Sequence, residues 1–209
     1  MENFIVTFAR GFGTGGKEIA SMLAKDLGIH CYENRILTLA SQMSGLDEKL
    51  FLDINERIRN NGGFTGFLKG LPRSRQYIAR NEKFVSDDRL FEYQSQIIRN
   101  LADQESCVIV GRCADYALSD NPDCINIFIH ADLDVRIKNV SRNLNITENK
   151  ARDIINKTDK QRASYYNYYT SKKWGDSKSY NLSLDAGKLG TDNCVEMILK
   201  FRELMDAMK

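Results

Sequence analysis

The chain has 209 residues, 42% of them hydrophobic and 28% charged, with a formal net charge of +2. That length suits one globular domain, or one domain with an inserted lid, and the near-balanced charge gives no electrostatic argument for a nucleic-acid or membrane partner. No apolar run approaches transmembrane length, and no secretory leader pattern is visible, so the cytoplasm is the expected location.

Residues 4–9 read as a short buried strand, apolar and rich in β-branched and aromatic side chains. A glycine-rich turn follows, and Gly11, Gly16 and Lys17 fit the G-x-x-x-x-G-K spacing of a phosphate-binding loop. Glycine lets the backbone turn tightly so that several N–H groups converge on phosphate oxygens. The next helix adds its positive N-terminal end, and Lys17 a point charge for the β- and γ-phosphates. Gly13, Thr14 and Gly15 complete the candidate cradle. Glu18 stands where a Ser or Thr hydroxyl usually meets Mg²⁺. Thr14 or Glu18 could reach the metal instead, directly or through water, although a carboxylate beside phosphates could also repel them.

The apolar face Ile19, Ala20, Leu23, Ala24 and Leu27 predicts a helix over 16–27, stopped at Gly28. A short extended run at 29–32 and a helix over 34–43 come next. Residues 44–80 hold Gly62-Gly63, Gly66, Gly70, Pro72 and five arginines, and read as mixed helix and loop. Helical periodicity resumes at 87–102. Ser106-Cys-Val-Ile-Val110 is the continuous apolar run of a central parallel strand, ending at Gly111-Arg112, with a helix at 113–118. A strand at 124–129, a helix at 132–143 and a long polar helix at about 148–168 follow, the last opened by an incomplete capping box at Thr147. An alternating strand at 180–184 and a helix at 191–208 close the chain. Strands alternating with helices imply a parallel sheet wrapped by helices.

Five cysteines contain no C-x-x-C pair, so neither a zinc site nor a redox dithiol is expected. His30 and His130 border strands, have no evident partner in the sequence and read as structural. The run Tyr165-Tyr-Asn-Tyr-Tyr169 is expected to pack a helix against the body rather than stack a base.

Three patches then line up in order: Arg10 to Lys17, Val108-Ile-Val-Gly111-Arg112, and Arg152-Asp153 with Asp159-Lys-Gln-Arg162 and Tyr180 to Asp185. Together they resemble the nucleoside monophosphate kinases, most closely the cytidylate kinase-like branch, over nearly the whole chain. Gly13-Thr-Gly-Gly16-Lys-Glu-Ile19 is similar to that branch's loop, where Glu-Ile is common after the glycines. The resemblance implies a P-loop three-layer αβα fold in a single domain over 1–209, with a helical acceptor-binding insert at about 44–102 and a lid at about 145–178. It implies that Arg112 holds the acceptor phosphate and that Asp159 and Arg162 belong to the lid. Arg152 is placed with the ATP-binding groups, and Tyr32-Glu33 at the edge of the acceptor site. The expected cofactors are ATP and Mg²⁺, without a protein metal cage, and the expected substrate is a small nucleotide, CMP or dCMP. Base-reading candidates are Arg35, Arg73, Arg75, Arg80 and Asp115. A different small acceptor on the same fold, or a nucleotide-binding regulator without catalysis, is the alternative. The sequence does not specify an oligomeric state.

Overall fold

The computed structural model describes residues 3–59 and 86–208, the backbone alone for 54–59. Gly62, Gly63, Gly66, Gly70 and Pro72, with Arg73, Arg75 and Arg80, lie outside those residues. The described elements run β1 (Ile5–Arg10), α1 (Gly16–Leu27), β2 (His30–Tyr32), α2 (Arg35–Ser44), α3 (Glu48–Arg59), α4 (Asp87–Gln104), β3 (Cys107–Val110), α5 (Ala114–Ala117), β4 (Cys124–His130), α6 (Leu133–Leu144), α7 (Glu148–Thr170), β5 (Leu182–Asp185) and α8 (Ala186–Asp206).

The strands form one parallel sheet in the order β2-β3-β1-β4-β5. β1 lies at its centre, with Ile5 paired to Cys107 on one side and Cys124 on the other. Its side chains alternate between two apolar layers, as a sheet covered on both faces requires. Val6, Phe8, Val108, Val110 and Ile127 meet Ile19 and Leu23 of α1 and Val195 and Ile198 of α8. Ile5, Cys107, Ile109 and Cys124 meet Ile36 of α2 and Ile98 of α4. The result is the expected αβα sandwich. The strand order reverses beside β1, which leaves a crevice beyond the carboxyl ends of β1 and β3, the usual ligand position in open α/β sheets.

Helix α7 is long and serves two neighbours. Ala151 and Ile155 pack on Ile137 and Val140 of α6, while Tyr165 and Tyr166 enter a cluster with Leu37, Phe51 and Leu90. Tyr169 stacks on Phe91 of α4, with ring centroids 3.9 Å apart. The tyrosine run therefore does pack the helix to the body, with Tyr168 as its exposed member. Thr147 caps α7 by accepting from the Lys150 N–H at 3.4 Å, although the reciprocal half of the capping box is absent.

The closing helix differs from its expected span. It begins at Ala186, because the Asp185 carboxylate caps it by accepting from the Gly187 and Lys188 amides. Gly190, at φ 78° and ψ 171°, then interrupts the helical path, which is why periodicity is legible only beyond it. His30 does have a partner: its Nδ1 lies 2.8 Å from Glu105 Oε2. Glu105 also accepts the Tyr32 hydroxyl, tying β2 to the start of β3. Burial first, then the Glu105 carboxylate, pushes the Tyr32 phenol up to about 12.

Candidate active site

The loop after β1 is built as its glycines require. Gly13 and Gly15 have φ of 80° and 78°, a left-handed backbone that costs other residues roughly 1–2 kcal/mol. A Cβ on Gly13 would lie 2.6 Å from Val140 Cγ2, so helix α6 sits against the loop itself. The Thr14 hydroxyl donates to the Gly11 carbonyl at 2.9 Å and accepts from the Gly16 amide at 3.3 Å. It is buried and committed within the loop, which removes it as a free metal ligand. Among the described residues, no protein acceptor meets the amides of Gly13, Thr14, Gly15 or Lys17. A loop of unpartnered N–H groups at a helix N-terminus is a site for anionic oxygens, so these residues fit the phosphates of ATP.

Lys17 points out of the loop, its side chain 68% exposed, and its Nζ lies 2.7 Å from Glu33 Oε2. The other Glu33 oxygen accepts from Arg10 Nη2 at 3.0 Å. Burial pushes the Glu33 carboxyl up, but its hydrogen bonds to Lys17 and Arg10 and their charges outweigh that and hold it below the usual value of 4.5. Its ionised form therefore adds stability that is complete above about pH 4.5 and is lost as pH falls through the lowered value. Glu33→Gln is expected to cost about 1–2 kcal/mol at pH 7. Urea titrations from pH 7 down to pH 3 should show the gap from wild type shrinking; a constant gap would exclude the linkage.

Beyond β1 and β3 lies a cavity of about 320 Å³, within the range of small-molecule sites. Arg10, Arg112 and Arg162 all line it, against the acids Glu33 and Asp115. Burial lowers the proton affinity of all three arginines, and for Arg10 and Arg162 the neighbouring guanidiniums lower it further. Arg162 comes down to about 10, which leaves it cationic at neutral pH. Arg162 Nη1 donates to the Arg10 carbonyl at 3.0 Å, with its guanidinium over the Phe12 ring at 5.6 Å.

Arg112 is held differently. Gly111, Arg112 and Cys113 have φ of 77°, 60° and 52° in succession, a left-handed turn between β3 and α5. Glycine suits the positive φ at 111, and a Cβ there would lie 2.5 Å from Arg10 Nη1, so Arg10 would have to shift its guanidinium. Strain of this kind persists where the surroundings impose it, and it clusters at functional sites. Asp115, one turn on, accepts the Tyr166 hydroxyl at 2.7 Å, and burial raises its carboxyl.

The predicted residues thus fall in two groups. Lys17, Arg112 and Arg162 converge on the loop and cavity. Arg152 does not line the cavity; it lies 3.9 Å from Asp134, both side chains substantially exposed. Glu18 is exposed in the first turn of α1. Asp159 faces the loop: its Oδ1 accepts from the Phe12 amide at 2.8 Å and its Oδ2 pairs with Arg136. Arg10, Arg136 and Asn139 are site residues that sequence reasoning passes over. No cluster of three or more His, Cys, Asp or Glu able to hold a metal occurs among the described residues, and none of their helices is long and apolar enough to cross a membrane.

Comparison with known proteins agrees with this fold. The cytidylate kinase-like family matches residues 5–188. An uncharacterized protein from Eubacterium ventriosum ATCC 27560 is 30% identical, with a TM-score of 0.70 over 96% of this chain and 99% of its own. A shikimate kinase from Bacteroides thetaiotaomicron and a gluconokinase from Sinorhizobium meliloti 1021 share the fold at 12% identity, each with a TM-score of 0.52. The first pairing covers 96% of this chain and 98% of the other, the second 99% and 97%. No curated protein matches the sequence.

Proposed function

The chain belongs to the cytidylate kinase-like family, and on that premise we propose that it is an ATP-dependent kinase of a nucleoside monophosphate, CMP or dCMP. The observation that carries the reading is the adjacency of an amide-lined loop, which suits ATP phosphates, to a cavity lined by three half-buried arginines, which suits a second anionic group.

Phosphoryl transfer asks mainly for in-line placement and for neutralisation of charge on the transferring group. The amides of residues 13–15 and 17 would receive the ATP phosphates. Lys17, exposed and hinged on a flexible stem, would exchange its Glu33 partner for phosphate oxygens, leaving Glu33 to Arg10. Arg112, fixed on its strained turn, would fork onto the acceptor phosphate. Arg162, anchored by the Arg10 carbonyl, would offer its remaining N–H groups between donor and acceptor. Bound Mg²⁺ supplies further charge neutralisation across the phosphate oxygens. Glu18, exposed in the first turn of α1, would meet it directly or through water, and the rest of its shell would come from phosphates and solvent.

The test is an ADP-release assay with ATP and Mg²⁺ over CMP, dCMP, UMP, AMP and GMP, with shikimate and gluconate as non-nucleotide acceptors. The expected result is turnover with CMP or dCMP at least about tenfold better in kcat/KM than with any other acceptor, since a site built to hydrogen-bond one base rejects others. Preference for a sugar or carboxylic acid would overturn the nucleotide reading and keep the kinase. ATP binding without turnover on any acceptor would favour a nucleotide-binding regulator.

A further inference from the structure

Two helices far along the chain hold the outer edge of the phosphate loop. From α6, Arg136 Nη1 donates to the Phe12 carbonyl at 3.4 Å, and Asn139 Nδ2 donates to the Gly13 carbonyl at 3.1 Å. From α7, Asp159 takes the Phe12 amide with one oxygen and Arg136 with the other. Arg136 and Asn139 are three residues apart, hence on one helix face, as are Asp159 and Arg162. The pair Arg136–Asp159 is largely buried, at 16% and 20% side-chain exposure, so neither group is a casual surface contact.

We propose that Arg136, Asn139 and Asp159 are positioning residues that orient the peptide groups of the phosphate loop. The reason is peptide planarity. In a trans peptide the carbonyl of one residue and the amide of the next point to opposite sides. Holding the Phe12 carbonyl outward on Arg136 therefore turns the Gly13 amide away from α6, and holding the Gly13 carbonyl on Asn139 does the same for the Thr14 amide. These are two of the unpartnered amides of the cradle. Asp159 fixes the preceding peptide through the Phe12 N–H and holds Arg136 in place. Asp159 thus acts through the loop rather than on the reacting groups. Because Asp159 and Arg162 share a face of α7, a tilt of that helix moves the loop and the arginine together.

This inference rests on the proposed kinase reading only for its ligand, ATP. The experiment uses full-length Asp159→Leu, Asp159→Asn and Asn139→Ala. It reads ATP affinity by calorimetry, kcat and acceptor KM by turnover, and amide exchange residue by residue. Asp159→Leu should weaken ATP by about tenfold or more, the scale of a lost hydrogen bond to a charged group, with acceptor KM unchanged. It should speed exchange at the Phe12 amide while the β1 amides stay protected. Asp159→Asn, which keeps an oxygen for the Phe12 N–H, should recover most of the affinity. Asn139→Ala should also weaken ATP and leave acceptor KM unchanged. Unchanged ATP affinity in Asp159→Leu and Asn139→Ala would overturn the proposal. So would loss of kcat in both Asp159 variants at unchanged ATP affinity, which would place Asp159 at the reacting groups. If Asp159→Leu does not fold, Asn139→Ala decides the question. If wild type binds no ATP, the kinase reading fails, and Phe12 exchange in wild type against the Asp159 variants still tests the brace.

Discussion

Replacing Arg112 with glycine should lower turnover by roughly 10²–10³-fold while leaving the folded protein at least as stable as wild type. The two effects come from one placement. Arg112 lines the cavity, where burial and a left-handed backbone both act against it. Glycine accepts φ near 60° without the roughly 1–2 kcal/mol that a side chain pays there, and it removes a cation held among other cations. Alanine would remove the charge and keep the strain. Both variants should therefore lose activity, with the glycine variant about 1 kcal/mol more stable than the alanine variant. Steady-state kinetics and denaturant unfolding on the three proteins check this directly. Activity within about twofold of wild type in either variant would remove Arg112 from the acceptor site.

Lys17→Ala should cost about 10³-fold in kcat/KM for ATP, the scale associated with charge stabilisation in phosphoryl transfer, and change stability by less than about 0.5 kcal/mol. The small stability effect follows from its 68% exposure. Its ion-pair partner among the described residues, Glu33, retains Arg10 when Lys17 is gone. Lys17→Arg keeps the charge but not its compact, rotatable ammonium, and should recover only part of the rate. A variant that still binds ATP yet does not turn over would place Lys17 at the transferring group. Full turnover without Lys17 would refute the phosphate-loop reading.

The parts of this site that are local in sequence were legible, and the parts made by long-range contact were not. Gly11, Gly16 and Lys17 announce the loop because backbone conformation, helix start and charge lie within seven positions. Helix α1 matches its expected span because Gly28 ends it in a left-handed cap. Arg112 stands out because it ends an apolar run. Arg10 does not, because its importance depends on Glu33 and on the space over Gly111. Arg136 and Asn139 read as the polar side of an exposed helix. Their one signal is the shared face with Val140, which packs on Gly13, and it has no meaning until α6 is known to lie on the loop. Asp159 was visible only as a family feature, and its contacts could not be inferred from it.

The central position of β1 has a consequence for how the protein is made. Its neighbours come late: the Phe4 amide bonds to Ser106 Oγ, 102 positions away, and Thr7 bonds to Asn126, 119 positions away. A ribosome therefore releases the phosphate loop well before β3, β4, α6 and α7, the elements that wall it. Pairings of such separation close slowly and leave apolar strands uncovered meanwhile. The loop's last supports, Asp159 and Arg162, arrive later still. Nascent chains stopped before α7 should carry the whole glycine motif and yet have no competence for nucleotide.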